Sequence, residues 1–209
     1  MTLRAGLLLL SLLASPGWRP AGDVDGVHLE LRDVAGSRYQ EIRATTESAA
    51  SLAGLCDAVF GKGQSTDGPQ RFKVREVIRQ TDTDRWTYEQ IGVPVLPDRD
   101  YVMHVRLLQP PSSGRCEIAF ATENLRGWPP RPGIVRIPLI RGSWLLEPDG
   151  QGKVRVRYDV FSDPGGGLPA FFVSGAQRSA AVDFLRAILS RATPPESRPR
   201  PAVPAAARP

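Results

Sequence analysis

Histidine and cysteine are nearly missing from this chain of 209 residues, which has only His28, His104, Cys56 and Cys116. With no histidine near either cysteine, a Cys/His zinc site is excluded and no metal is expected. The two histidines stand far apart, no serine sits in a nucleophile elbow, and no cluster of metal-binding residues is present. Catalytic residues are therefore not assigned, and the chain is not expected to be an enzyme. Lysine is scarce as well: only Lys62, Lys73 and Lys153 occur, and the other 24 basic residues are arginines spread along the sequence, for a net charge of +5. Scattered charge lacks the clustering on one element that a nucleic-acid surface needs, so no nucleic-acid partner is expected.

Long hydrophobic runs are also absent. The longest, Ala5 to Ala14, falls short of the roughly 20 apolar residues that span a bilayer. It follows Arg4 and precedes small residues at Ser15 and Gly17, so residues 1–17 read as a secretory signal peptide. An uncleaved interfacial anchor is the alternative. The expectation is an exported protein, periplasmic or secreted. An oxidising compartment permits Cys56 and Cys116 to pair. Both also lie in apolar runs, where a free cysteine packs as a small hydrophobe, and the sequence leaves the two readings open.

A hydrophobic content of 41% supports a real core, and the length suits one domain. Val27, Leu29 and Leu31 alternate with polar neighbours as a half-buried strand, and Gln40, Ile42 and Ala44 mark a second. The period then changes. Leu52, Leu55, Cys56, Val59 and Phe60 form the stripe of an amphipathic helix, with Thr46 or Ser48 as cap and Gly61 as its end. About six strand signals follow, separated by turn residues, the last alternating Val154, Val156 and Tyr158 against Lys153, Arg155 and Arg157. A helix from about Pro169 to Arg191 closes the domain. Residues 193–209, rich in proline and without apolar period, read as a disordered tail.

Between the last strand and that helix lies SDPGGGLP. Glycines in this place can cradle a phosphate at a helix N-terminus. Here Asp163 puts a negative charge where the phosphate would sit, and Pro169 removes a donor. Gly165, Gly166 and Gly167 therefore read as a corner and as the candidate hinge of the C-terminal helix.

Several stretches, in order, resemble one known family. VPVLPDRDYVM gives a proline-flanked strand entry with Arg-Asp-aromatic-Val. GIVRIPLIRGSWLLEPDGQGKVRVRYDVFSDPGGGLPAFFVS carries Val-Arg, Gly-x-Trp-x-Leu-x-Pro, Val-x-Tyr and Asp-Pro-Gly-Gly, and DGVHLELRDVAGSRYQEIRA resembles the first strand pair. Over residues 25–192 the chain is similar to the START family, the steroidogenic-acute-regulatory-related lipid-transfer domains, in a bacterial secreted form. The resemblance implies an α+β helix-grip fold, in which a curved antiparallel sheet wraps a long C-terminal helix around an internal hydrophobic cavity. It also implies binding of a single lipid, a phospholipid, sterol or similar molecule, with transfer between membranes as the extension. No cofactor and a monomeric state are expected. A helix-grip cavity enzyme of cyclase or hydrolase type is the alternative.

On this resemblance the candidate cavity lining is Phe72, Val74, Glu76, Tyr101, Met103, Val105, Ile118, Phe120, Val156 and Tyr158 from the sheet, and Phe171, Phe172 and Ala176 from the helix. Some START proteins set an acid–arginine pair inside the cavity. The matching arginine position falls near Val105, and alternation sends Arg106 outward. Glu76 and Glu89 are the candidate acids, and Arg99 with Asp100 is expected to form a local structural ion pair. In the loop from Asn124 to Gly133, Trp128 with Arg126 and Arg131 forms the candidate flap and transient membrane contact.

Overall fold

The structure, a computed structural model, describes residues 17–61, 72–93 and 95–193. The expected signal peptide apart from Gly17, and the expected tail apart from Thr193, lie outside the described residues. Strands β1 (Arg19–Val24), β2 (Val27–Asp33) and β3 (Gln40–Ser48) precede helix α1 (Leu52–Phe60). Then come β4 (Phe72–Gln80), β5 (Asp84–Ile91), β6 (Arg99–Gln109), β7 (Cys116–Thr122), β8 (Val135–Arg136), β9 (Leu139–Pro148) and β10 (Val154–Asp163), and last helix α2 (Ala170–Ala192). They form one sheet in the order β1-β2-β3-β10-β9-β7-β6-β5-β4, antiparallel throughout, to which β8 adds as a short parallel partner of β6. This is the helix-grip arrangement: a curved sheet with a long C-terminal helix across its inner face.

Local chemistry accounts for most elements. In α1 the residues Leu55, Cys56, Val59 and Phe60 of the stripe are buried. Ser51, not Thr46 or Ser48, caps the helix: its Oγ accepts from the Gly54 N–H at 3.1 Å, while both expected residues are held in β3. Gly61 ends the helix, its N–H donating to the Asp57 carbonyl. The 23 residues of α2 span about 35 Å and turn Ala181, Leu185 and Ile188 into the core.

Two strand features depart from the sequence pattern. β1 has no apolar alternation, because it is an exposed edge strand with a register shift between Pro20 and Gly22. The long apolar run after Gly133 is split into β8 and β9, with Ile137 and Pro138 between them. The proline lacks the N–H that a continuous ladder needs.

Cys56 and Cys116 form a disulfide with Cα atoms 6.0 Å apart. It ties α1 to the first residue of β7 across a sequence separation of 60. Closing a loop of that length stabilises the fold by about 2–4 kcal/mol.

Candidate functional site

The inner face of the sheet is built from β6, β7, β9 and β10. Tyr101, Met103, Val105, Ile118, Val156 and Tyr158 are all buried in the main core, and Phe120 packs against it partly exposed. Their faces follow from strict alternation, which the pairings preserve: Val105 stands opposite Phe120, and Tyr158 opposite Trp144. Four rings gather beneath α2. Tyr158 stacks on Trp144 at 4.2 Å and on Phe120 at 5.9 Å, and Phe184 of α2 lies 5.8 Å from Trp144. Trp144 and Phe184 were not among the sequence candidates. Gly142 makes room for this cluster, since a Cβ there would stand 2.4 Å from the Phe120 ring and 2.1 Å from the Asp159 carbonyl oxygen.

β4 corrects the expected lining. A register shift between Phe72 and Val74 breaks the alternation that would have put Val74 and Glu76 on the face of Phe72. Val74 stands opposite Gln90, and Glu76 opposite Tyr88, both on the outer face, and Glu76 is exposed. Phe72 remains opposite Ile91, which packs on the core. The inward polar residue of this strand is Arg75. Its Nε donates to Glu89 Oε1 at 2.9 Å, with side-chain exposures of 11% and 6%. Glu89 also accepts from the Thr87 hydroxyl at 3.1 Å. Burial, then the adjacent Glu89 charge, pushes the Tyr101 phenol well above its usual range. Burial likewise raises Tyr158, with Glu89 adding to it. An interior acid–arginine pair is thus present, with Glu89 as the acid and the arginine supplied by β4 rather than β6. No sequence signal singled out Arg75, because the bulge that turns it inward leaves no mark in the hydrophobic period.

Further along the same face, Arg85 is buried and reaches the end of α1. Its Nη1 donates to the Phe60 and Gly61 carbonyls at 2.9 and 3.2 Å, and its Nη2 to Val59 at 3.2 Å. Burial, and next the charge of Arg75, pulls its pKa down to about 10.

The loop from Asn124 to Gly133, the expected flap, lays Trp128 and Arg131 on the outer face of the sheet. Trp128 stacks on Tyr88 at 5.0 Å, and Arg131 lies over the same Tyr88 ring at 4.4 Å. Arg126 is exposed. The expected Arg99–Asp100 pair is replaced. Fully buried Asp100 receives Arg136 Nε at 2.7 Å and the Tyr88 hydroxyl at 3.1 Å, while Arg99 donates to the Pro97 carbonyl. His104 faces outward as alternation requires, between Asp84 at 2.8 Å and Glu123 at 3.1 Å. A polar surface crevice of about 400 Å³ near Arg115, Asp149 and Arg155 lies apart from this interior.

At the start of α2, Gly165, Gly166 and Gly167 have φ of 69°, 68° and 66°, three successive left-handed residues. The corner packs on β8, since a Cβ on Gly165 would lie 3.2 Å from both Val135 and Pro138. Tyr39 donates its hydroxyl to the Leu168 carbonyl at 2.7 Å, and with Phe161 and Val173 forms a second small core. Two helix candidates are corrected. Phe171 is 76% exposed, and Ala176 is exposed on the face of α2 that carries Asp183. The side chain of Phe172 lies outside the described residues. Val95 and Leu96, in the loop before β6, are exposed at this same end of the sheet.

A curved antiparallel sheet that grips a long terminal helix over an aromatic interior defines the helix-grip fold. The chain is 31% identical over 179 residues to an uncharacterised protein of Pseudomonas aeruginosa, covering 84% of this chain and 86% of that protein. It is 26% identical over 117 residues to phosphatidylcholine transfer protein of Rattus norvegicus, covering 54% of this chain and 55% of that protein. The STAR-related lipid transfer protein from Xanthomonas axonopodis superposes with a TM-score of 0.73 at 25% identity, over 84% of this chain and 98% of that one. Human StAR-related lipid transfer protein 5 gives a TM-score of 0.73 at 19% identity, over 86% and 88%. No family model matches the chain. The chain belongs to the START, or STAR-related lipid transfer, domain family.

Proposed function

We propose that this protein holds one lipid-like molecule between the inner face of its sheet and α2, and carries it between membranes outside the cytoplasm without altering it. The observation that carries the reading is the Arg75–Glu89 pair, desolvated beside the aromatic and aliphatic inner face of the sheet. Apolar packing would stabilise that position at least as well as a buried ion pair does. A polar group there gives the interior a means to select and orient a ligand. The names of the rat and Xanthomonas relatives support a lipid as that ligand.

Binding accounts for the pair better than catalysis does. Glu89 already accepts from Arg75 and Thr87, and the raised Tyr101 phenol is a poor acid. The disulfide supports export, since such bonds persist in oxidising compartments. Exposed Val95, Leu96 and Phe171 supply the membrane contact in place of Trp128. The protein acts as a monomer in this scheme. Lipid extraction and native mass spectrometry of protein from its own host test the reading, followed by transfer of fluorescent lipid between vesicles. One lipid per chain and protein-dependent transfer are expected; neither bound lipid nor transfer would refute it.

A further inference from the structure

Buried donors without an acceptor gather at one corner of the interior. Among the described residues, four buried side-chain nitrogens lack a hydrogen-bond partner: Gln80 Nε2, Arg85 Nε, Arg157 Nε and Arg191 Nε. Three of these belong together. Gln80 stands opposite Arg85 in the β4–β5 pairing, and the last turn of α2, which carries Arg191, packs on α1, where a Cβ on Gly54 would lie 3.5 Å from the Ala192 carbonyl and whose end Arg85 grips. Arg85 is only 3% exposed. Every one of the three is an N–H donor, so the corner is short of acceptors, not of donors.

Charge leads to the same place. Arg75 and Glu89 cancel, which leaves the cations of Arg85 and Arg191. Each sits at a helix C-terminus, and those two ends offset about half a charge apiece. Among the described residues, about one positive charge remains, matching one monoanion. Burial followed by the charge of Arg75 lowers the pKa of both Arg85 and Arg191, as expected of cations whose partners do not balance them. A purely structural capping role explains the Arg85 bonds to α1. It does not explain Arg191, which makes no hydrogen bond or ion pair among the described residues.

We propose that this corner takes the anionic end of an amphiphilic ligand, a carboxylate or a phosphate, beside Arg85, Arg191 and Gln80. The proposal rests on the reading of the interior as a lipid site. The glycine corner lies at the other end of α2, about 35 Å away by helix length. The ligand therefore enters charged end first, with its chain running along the aromatic face toward Val95 and Phe171.

The test uses the full chain and matched pairs: oleate against oleyl alcohol, and dioleoyl phosphatidic acid against dioleoylglycerol, with inorganic phosphate as a third arm. The charged member of each pair should bind at least about tenfold tighter. Arg191→Gln should bring that ratio close to one, and Arg191→Lys should restore part of it. Arg186→Gln, on a surface arginine paired with Asp25, should leave the ratio as in the wild type. Equal affinity for charged and neutral members in the wild type would overturn the proposal and leave lipid binding standing. Inorganic phosphate that binds in an Arg191-dependent way, without any preference among the amphiphiles, would overturn it too. Binding of none of the amphiphiles would overturn both.

Discussion

Glu89 is a buried carboxylate held by two donors, Arg75 and Thr87. Arg75→Met would leave that charge buried and uncompensated and should cost about 3–5 kcal/mol in chemical denaturation. The double variant Arg75→Met with Glu89→Leu should recover most of the loss while abolishing selection among ligand head groups. Gly142→Ala should destabilise by several kcal/mol, as its methyl collides with the Phe120 ring and the Asp159 carbonyl; a wild-type melting temperature would contradict this. At the exposed edge, hydrogen bonds from Arg19 and then Gln40 hold the Asp33 carboxyl at about 2, against 3.8 unperturbed. A depressed carboxylate contributes stability above its unfolded pKa, and that contribution is lost as pH falls from about 4 toward 2. An NMR titration should show the low midpoint, and Arg19→Ala should move it up. The inner residues of β6 were legible because its alternation is strict where Tyr101, Met103 and Val105 lie. Those of β4 were not, because a bulge between Phe72 and Val74 sets Arg75 inward and puts Val74 and Glu76 outside.

Among the elements, the start of α2 is tied to the sheet by the Tyr39 hydroxyl on the Leu168 carbonyl and by Gln177, which donates to the Ser162 carbonyl. Tyr39→Phe removes the bond to the Leu168 carbonyl and should cost about 1 kcal/mol. The effect should appear as faster hydrogen exchange confined to the first turns of α2, and unchanged exchange there would contradict it. The glycine corner was legible as a turn, and the structure adds that Gly165 is packed against β8. Both helices announced themselves by their stripes. β1 did not, because an exposed edge strand buries no alternating face. The outer cover formed by Trp128 and Arg131 was equally hidden: aromatic and basic residues in a proline-rich loop suit a membrane flap and a packed lid alike. Only the Tyr88 ring and buried Asp100 beneath them distinguish the two.

For the whole molecule, the disulfide fixes how α1 sits on the sheet, and with it the carbonyls that Arg85 grips. Reduction should lower the unfolding free energy by about 2–4 kcal/mol, and equal stability with and without reductant would contradict that role. The sequence order of strands and helices conveyed the helix-grip architecture, since alternation and helical period are local properties. The charge balance of the interior was not visible, because Arg75, Glu89, Arg85 and Arg191 meet only through strand pairing and the long return of α2. The most direct test of the central claim is native mass spectrometry of the purified chain after incubation with mixed phospholipid, sterol and fatty-acid vesicles. One lipid bound per chain, lost when Phe184→Trp enlarges the ring packed against Trp144 and Tyr158, is the predicted result. A chain that stays unliganded with every lipid class, while properly folded, would contradict the account.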